Sequence, residues 1–162
     1  MPTVADKRRA FHELHKSGCF VIPNPWDIGS ARYLQHLGFK ALATTSAGFA
    51  FWQAYPDQAI SLDKALAHLR AVVAATDLPV NADFGGGFVH DPEGVAESAR
   101  LAVETGVAGL SIEDLTGDNA KPLYDFDHAV ARMRVARQAI DRQRRHLVGR
   151  PLGRVRSRCA RS

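Results

Sequence analysis

Cysteine and long apolar runs are both scarce in this chain of 162 residues. Its two cysteines, Cys19 and Cys159, lie far apart and lack the paired spacing of a zinc site. No apolar run approaches the roughly 20 residues that a membrane-spanning helix needs, and no apolar segment follows the charges near the N-terminus. We therefore expect reduced thiols, no membrane partner and a cytoplasmic protein.

Acidic residues are absent from residues 142–162, which contain eight arginines. The 141 residues before them carry 13 basic and 17 acidic residues, so the body is mildly acidic although the whole chain has a net charge of +4. The tail is interpreted as a nucleic-acid arm, a solvated disordered segment, or a truncated or out-of-frame C-terminus. The abrupt change in composition favours the last. We predict a folded domain over residues 1–141 and an Arg-rich tail, disordered or out of frame, over residues 142–162.

Two short apolar runs that end in carboxylates are the most informative part of the sequence. Residues 78–83 lead to Asp83 and are followed by three glycines, and residues 107–112 lead to Glu113 and Asp114. This pattern predicts two buried strands that carry acids at their C-terminal ends. Parallel strands bring those ends to one edge of the sheet, where α/β proteins hold their chemistry.

Helical and strand patterns alternate along the chain, which predicts an α/β fold with parallel strands and right-handed crossovers. Strands are predicted over residues 19–22, 40–45, 78–83 and 107–112, and helices over residues 3–17, 27–37, 62–75, 91–105 and 126–140. A loop rich in aromatic residues is predicted between residues 49 and 56, and residues 146–149 offer at most a fragment of a fifth strand. A closed barrel needs eight βα units, and the pattern provides only about four.

Three acids, Asp57, Asp83 and Glu113, follow successive strands or connections, so one edge of the sheet would gather them. Hard oxygen ligands suit Mg²⁺ or Mn²⁺. Alternatively, each acid caps a helix or pairs with an arginine separately. Residues 46–48 follow the second predicted strand and form either an anion cradle or an ordinary turn.

Several linked motifs over about residues 10–140 resemble those of the isocitrate lyase/phosphoenolpyruvate mutase superfamily. They are residues 24–32, residues 44–48, Pro56-Asp57, Ala82-Asp83 with Gly87-Phe88, and residues 111–114. The resemblance implies part of a (β/α)8 barrel, with about four of the eight units present. It also implies Mg²⁺-dependent cleavage of a C–C or P–C bond in a small 2-oxo or 2-hydroxy carboxylic acid, through a metal-stabilised enolate.

The resemblance also assigns roles to six residues of this chain. Asp83 resembles the principal metal carboxylate, while Asp57 and Glu113 resemble the acids that hold metal-bound waters; these three carry the catalytic site. Ser46, with the amides of Ala47 and Gly48, resembles the site for a substrate carboxylate or phosphonate.

The sequence departs from the family pattern in ways that narrow the expected function. Gly85 stands where the family commonly has a second acid, so we expect weaker metal binding. The Lys-Arg-Cys-Gly-His loop of the isocitrate lyases is absent after Glu113, which favours the mutase, phosphonopyruvate hydrolase or oxaloacetate decarboxylase-like branches.

The later half of the family pattern is missing from the chain, which leaves two alternatives to an active enzyme. The first is a truncated, inactive fragment that associates with itself through an exposed half-barrel. The second and less favoured one is a protein that binds nucleic acid through its basic tail.

Overall fold

A parallel sheet of three strands and six helices form the part of the protein that the structure, a computed structural model, describes, residues 1–148. The helices are α1 (Val4–Leu14), α2 (Ile28–His36), α3 (Ser46–Trp52), α4 (Leu62–Ala75), α5 (Pro92–Glu104) and α6 (Phe126–Val148). The strands are β1 (Leu42–Ala43), β2 (Val80–Asp83) and β3 (Gly109–Ser111), in the order β1-β2-β3. Both strand pairs are parallel, and the register of the second places Asp83 beside Ser111. The predicted α/β class with parallel strands is therefore confirmed.

The helices that precede and follow the strands begin where the sequence predicts. Asp27 caps α2 by accepting a hydrogen bond from the amide of Ser30 at 2.8 Å, and Asp91 caps α5 in the same way ahead of Pro92. Ser61 caps α4. These side chains satisfy amides that have no partner inside their helices.

Burial alternates along β2, and this alternation directs Asp83 toward the site. Val80 and Ala82 are fully buried in the core against α4, while Asn81 and Asp83 are half-buried on the opposite face. Successive side chains of a strand point to opposite faces. The core therefore fixes the face on which Asp83 emerges at the strand's C-terminal end.

Helix α1 closes the end of the sheet that lies away from the strand C-termini. The Nζ atom of Lys7, which is buried, donates to the carbonyl oxygens of Val73 at 2.9 Å and Thr76 at 2.5 Å. Arg8 donates in the same way to the carbonyl oxygens of Val103 and Val107. Both side chains thus satisfy carbonyls at or just beyond the C-terminal ends of α4 and α5.

Residues 19–22 are not a strand in the structure, contrary to the sequence prediction. The segment is joined to β1 only beyond its end, where the amide of Ala43 donates to the carbonyl of Pro23 and Asn24 donates to the carbonyl of Ala43. The side chain of Val21 is 67% exposed. Without a ladder of backbone hydrogen bonds or a buried face, the β-branched composition does not produce a strand.

The predicted strand over residues 40–45 is shorter than expected because a helix follows it at once. Thr45 caps α3 by accepting a hydrogen bond from the amide of Gly48. The first part of the predicted aromatic loop is therefore helical, and Phe49 is buried.

Helix α6 continues to Val148, beyond its predicted end at residue 140, so the proposed strand fragment over residues 146–149 is wrong for residues 146–148. Arg137 pairs with Asp141 one turn later, and Gln143 donates to Glu104 of α5. These contacts extend the helix past the change in composition. Residues 149–162 lie outside the described residues, and the division at residue 141 stays a prediction.

None of the helices within residues 1–148 has the length and apolarity needed to cross a membrane.

Candidate functional site

The C-terminal ends of the strands border a cavity of about 240 Å³. Polar residues on its wall are Thr44, Thr45, Ser46, Gln58, His68, Asp83, His90, Thr116 and Tyr124, and apolar ones include Phe49, Ile60, Leu69, Phe84, Phe88, Val89 and Leu115. Of the sequence-predicted site residues, Ser46 and Asp83 line this cavity, while Asp57 and Glu113 lie outside its lining. A mostly apolar pocket with a few converging polar groups is the usual form of a small-molecule site.

Asp83 is held by hydrogen bonds from the residues around it. Its Oδ2 atom accepts from the amide of Ser46 at 2.8 Å and from the hydroxyl of Ser46 at 2.9 Å. Its Oδ1 atom accepts from the amide of Gly85 at 3.3 Å, and its own amide donates to Thr44 Oγ1 at 3.0 Å. The junction between β1 and α3 therefore fixes the orientation of the carboxylate.

The first turn of α3 is the predicted anion cradle, and part of it already has partners. The amide of Ser46 donates a hydrogen bond to Asp83 Oδ2, and the amide of Gly48 donates one to Thr45 Oγ1. The amide and hydroxyl of Ser46 both donate to a carboxylate oxygen in this structure, and that oxygen belongs to Asp83 of the protein itself. The residues predicted for substrate and for metal are thus joined in one hydrogen-bonded pair.

Glu113 experiences the negative charges of the other acids near the strand ends. Its pKa is raised from the usual value, first by partial burial and then by Asp83, Asp57 and Asp114. The four acids do not converge on one point, since no three His, Cys, Asp or Glu side chains in residues 1–148 are arranged to hold a metal ion. Asp57 is exposed and accepts a hydrogen bond from the amide of Gln58 at 2.8 Å.

The donor chemistry at this edge fits a hard divalent cation. Carboxylate and water oxygens are the ligands that Mg²⁺ prefers, and it commonly keeps several waters and binds only one or two carboxylates directly. A cation would offset the repulsion that raises the pKa of Glu113. Asp83 is the acid of the three that lines the cavity, and Asp57 and Glu113 lie outside that lining.

His68 is a cavity residue that sequence reasoning missed. Its ring stacks on Phe49 with centroids 3.8 Å apart, and its Nε2 atom is buried without a hydrogen-bond partner among the described residues. Burial lowers the pKa of His68 to about 4, against an opposing effect of Asp27. The imidazole is therefore neutral near pH 7. The sequence offered one signal for this site, a polar residue on the inward face of α4. It was missed because Phe49, on which the ring stacks, belongs to α3, which the sequence analysis predicted as a loop.

His90 and Tyr124 form a second polar pair on the cavity wall that the sequence did not indicate. The hydroxyl of Tyr124 lies 2.6 Å from Nδ1 of His90, and the amide of Tyr124 donates to the carbonyl of Asp114. These contacts connect the loop after β2 with the loop after β3. Residues so far apart in sequence meet only through tertiary packing, which a spacing pattern does not show.

Comparison with known proteins identifies a matching family and structures of similar fold. Residues 11–149 match the family model described as phosphoenolpyruvate phosphomutase. The fold is similar to that of a candidate lyase/mutase from Burkholderia cenocepacia J2315, with 50% sequence identity and a TM-score of 0.81 over 84% of this chain and 49% of that one. This likeness confirms the predicted partial (β/α) barrel.

Two ligand-bound structures are also similar. Oxaloacetate acetylhydrolase in complex with its product oxalate is 30% identical, with a TM-score of 0.76 over 88% of this chain and 50% of that one. Phosphonopyruvate hydrolase in complex with oxalate and Mg²⁺ is 20% identical, with a TM-score of 0.77 over 82% of this chain and 48% of that one, a likeness of fold alone. The chain likewise spans about half the length of the curated relatives it matches, 48%.

Proposed function

Because the chain belongs to the phosphoenolpyruvate phosphomutase family, in which its relatives include lyases, mutases and hydrolases, we propose that it binds Mg²⁺ or Mn²⁺ together with a small 2-oxo or 2-hydroxy acid and cleaves a C–C or P–C bond in that acid. The observation that carries the proposal is the Ser46–Asp83 pair at the cavity. In this pair the residue proposed to bind the anion and the carboxylate proposed to bind the metal are in direct contact.

Asp83 would hold the cation directly, with Asp57 and Glu113 holding its waters. A bound divalent cation supplies a Lewis acid that offsets negative charge developing on a substrate oxygen. The hydrogen bonds to Asp83 from Ser46 and Gly85 restrict its carboxylate before any ligand arrives.

Ser46 would bind an oxygen of the substrate carboxylate or phosphonate, assisted by the amide of Ala47 and by that of Gly48 once it leaves Thr45 Oγ1. Its hydroxyl and amide now point at one oxygen of Asp83, within 2.9 Å. The same two donors would serve a substrate oxygen once Asp83 Oδ2 turns to the cation. A cation that draws Asp83 away from Ser46 would free the Ser46 donors for the acid, and an acid bound to Ser46 would free Asp83 for the cation. Binding of the cation and of the acid should therefore be cooperative.

The size and lining of the cavity favour a small acid. About 240 Å³ accommodates a molecule of a few carbon atoms, and apolar side chains form much of the wall. Oxalate, the ligand of the two related hydrolases, is of this size and chelates divalent cations through paired oxygens. It is the natural probe for this chain.

The test is a calorimetric titration of the protein with Mg²⁺ in the presence and absence of oxalate. We expect oxalate to tighten Mg²⁺ binding, and Asp83→Asn to weaken it at least tenfold. Asp63→Asn, an exposed acid in the first turn of α4, is the matched control and should leave binding unchanged. Equal binding by Asp83→Asn and the parent chain would refute the assignment.

Turnover is tested separately, because the chain spans about half of its relatives. Release of a smaller oxo acid from oxaloacetate or phosphonopyruvate, or of oxalate from oxaloacetate, that is lost in Asp83→Asn would support the proposed C–C or P–C bond cleavage. Binding without turnover would support the alternative of an inactive fragment that retains the site.

A further inference from the structure

Arg132 is the largest fully buried side chain of the described residues, at 1% exposure, and it lies on α6. Its guanidinium donates to three carbonyl oxygens of one loop: those of Val89 at 2.9 Å, His90 at 3.1 Å and Gly86. Within residues 1–148 no carboxylate lies in ion-pair range of Arg132. Burying a guanidinium is costly, so this one is placed where its donors are matched by backbone oxygens.

The loop that Arg132 holds, residues 84–90, connects two acids of the candidate site. The amide of Gly85 donates to Oδ1 of Asp83, and the carbonyl of Gly85 accepts from the amide of Glu113 at 2.9 Å. Gly85 and Gly87 have φ of 49° and 77°, in the left-handed region that suits glycine. Such a loop has little stiffness of its own, so its conformation depends on contacts from outside it.

Tyr124 holds Arg132 from the other side. The aromatic ring lies 4.1 Å from the guanidinium carbon, within range of a cation–π interaction. The same tyrosine contacts His90 through its hydroxyl and Asp114 through its amide. Arg132 is thus fixed between the loop after β2 and the segment after Glu113.

We propose that Arg132 is a positioning residue for the candidate site: by holding Gly86, Val89 and His90 it fixes Gly85 between Asp83 and Glu113. The inference rests on the proposed function, since it concerns the same two carboxylates. Arginine is suited to this role because its planar fork reaches several oxygens at once, whereas a lysine ammonium is a single point charge.

The test compares Arg132→Lys and Arg132→Gln with Arg134→Lys, a change at an exposed arginine on the same helix. Calorimetry measures Mg²⁺ affinity in the presence of oxalate, and amide hydrogen exchange measures the protection of Gly85 and Glu113. We expect Arg132→Lys to retain a cooperative thermal transition, to lose at least tenfold in affinity, and to exchange these two amides at least tenfold faster. Arg132→Gln should have larger effects, and Arg134→Lys none.

Each other outcome decides against the inference. Unchanged affinity in Arg132→Lys, while the parent chain binds, would overturn it and leave the proposed function standing. Exchange that rises evenly through α4 and β2, or loss of the cooperative transition in Arg132→Lys, would show a general structural role instead. No binding by the parent chain would refute the proposed function, and this inference with it.

Discussion

Gly48 has no room for a side chain. A Cβ atom there would lie 2.5 Å from Nε1 of Trp26 and 2.6 Å from Cγ2 of Thr45. We expect Gly48→Ala to lower the free energy of unfolding by about 1–3 kcal/mol. It should also weaken Mg²⁺ and oxalate binding, because the strain falls on the turn that carries Ser46. Urea denaturation and calorimetry measure the two effects.

The double variant Gly48→Ala with Trp26→Ala provides the control for this prediction. Removing the indole takes away its contact at 2.5 Å but leaves that of Thr45 at 2.6 Å, so part of the lost stability should return relative to Trp26→Ala alone. Additive effects of the two changes would contradict the steric explanation.

His68 makes stability depend on pH. Its pKa is about 4 in the folded protein, against 6.5 for an unperturbed histidine, because burial disfavours the charged form. The unfolded chain therefore binds more protons between these values, so stability present above pH 6.5 is lost as the pH falls toward 4. The loss attributable to His68 is at most roughly 3 kcal/mol.

Urea midpoints measured from pH 7 to pH 4 test this expectation. His68→Leu should flatten the pH dependence, and His36→Leu, a change at an exposed histidine of α2, should not. A parallel decline in the parent chain and His68→Leu would assign the acid sensitivity to other groups.

Sequence reasoning located Asp83 because a strand, a carboxylate and three glycines are adjacent in the chain. It missed His68, His90 and Arg132, whose partners lie on other elements. Residue type and spacing identify features that lie within one short segment, such as an acid at the end of a strand. Burial and pairing between distant residues depend on packing, which one sequence does not display.

At the scale of elements, the side chain of Lys7 attaches α1 to the C-terminal end of α4. It is 5% exposed, and its ammonium is bonded to the carbonyls of Val73 and Thr76. Lys7→Met keeps most of the volume and removes the donors, leaving buried carbonyls unsatisfied. We expect a loss of about 1–3 kcal/mol in the free energy of unfolding.

Lys16→Met is the matched control, because Lys16 is exposed and pairs with Glu13 only at the surface. That change should cost well under 1 kcal/mol, as surface ion pairs do. Equal urea midpoints for the two variants would show that the buried ammonium contributes nothing beyond its packing.

Helices were easier to predict than strands in this chain. Asp27, Ser61 and Asp91 mark helix starts through their own side chains, so a local signal sufficed. Residues 19–22 have the composition of a strand but no neighbouring ladder, and α3 follows β1 too closely for its aromatic residues to be distinguished from a loop. Whether a segment pairs is decided by its neighbours in space.

At the scale of the whole molecule, β1 and β3 are the edges of the sheet within the described residues. Beside β3, Phe126 and Met133 of α6 are 80% and 50% exposed. Unpaired edges next to apolar side chains favour association. We expect the sedimenting mass to rise with protein concentration, and the double variant Phe126→Lys with Met133→Lys to reduce that rise.

Tyr33→Lys serves as the control for association. Tyr33 is a largely apolar side chain that is 62% exposed, but it lies on α2, which packs against α4 rather than beside β3. It should leave the concentration dependence unchanged. A constant monomer mass in the parent chain would contradict the prediction.

The attachment of α1 has a consequence for engineering. Lys7 and Arg8 tie the helices together at one end of the strands, while the cavity lies at the other end. Loops at the cavity end can therefore be recombined or randomised in a library with little cost to the contacts that hold α4 and α5. Variation should start from residues 117–121 of the loop after β3, which are exposed, leaving Ser46, Gly48, Glu113 and the loop held by Arg132 unaltered.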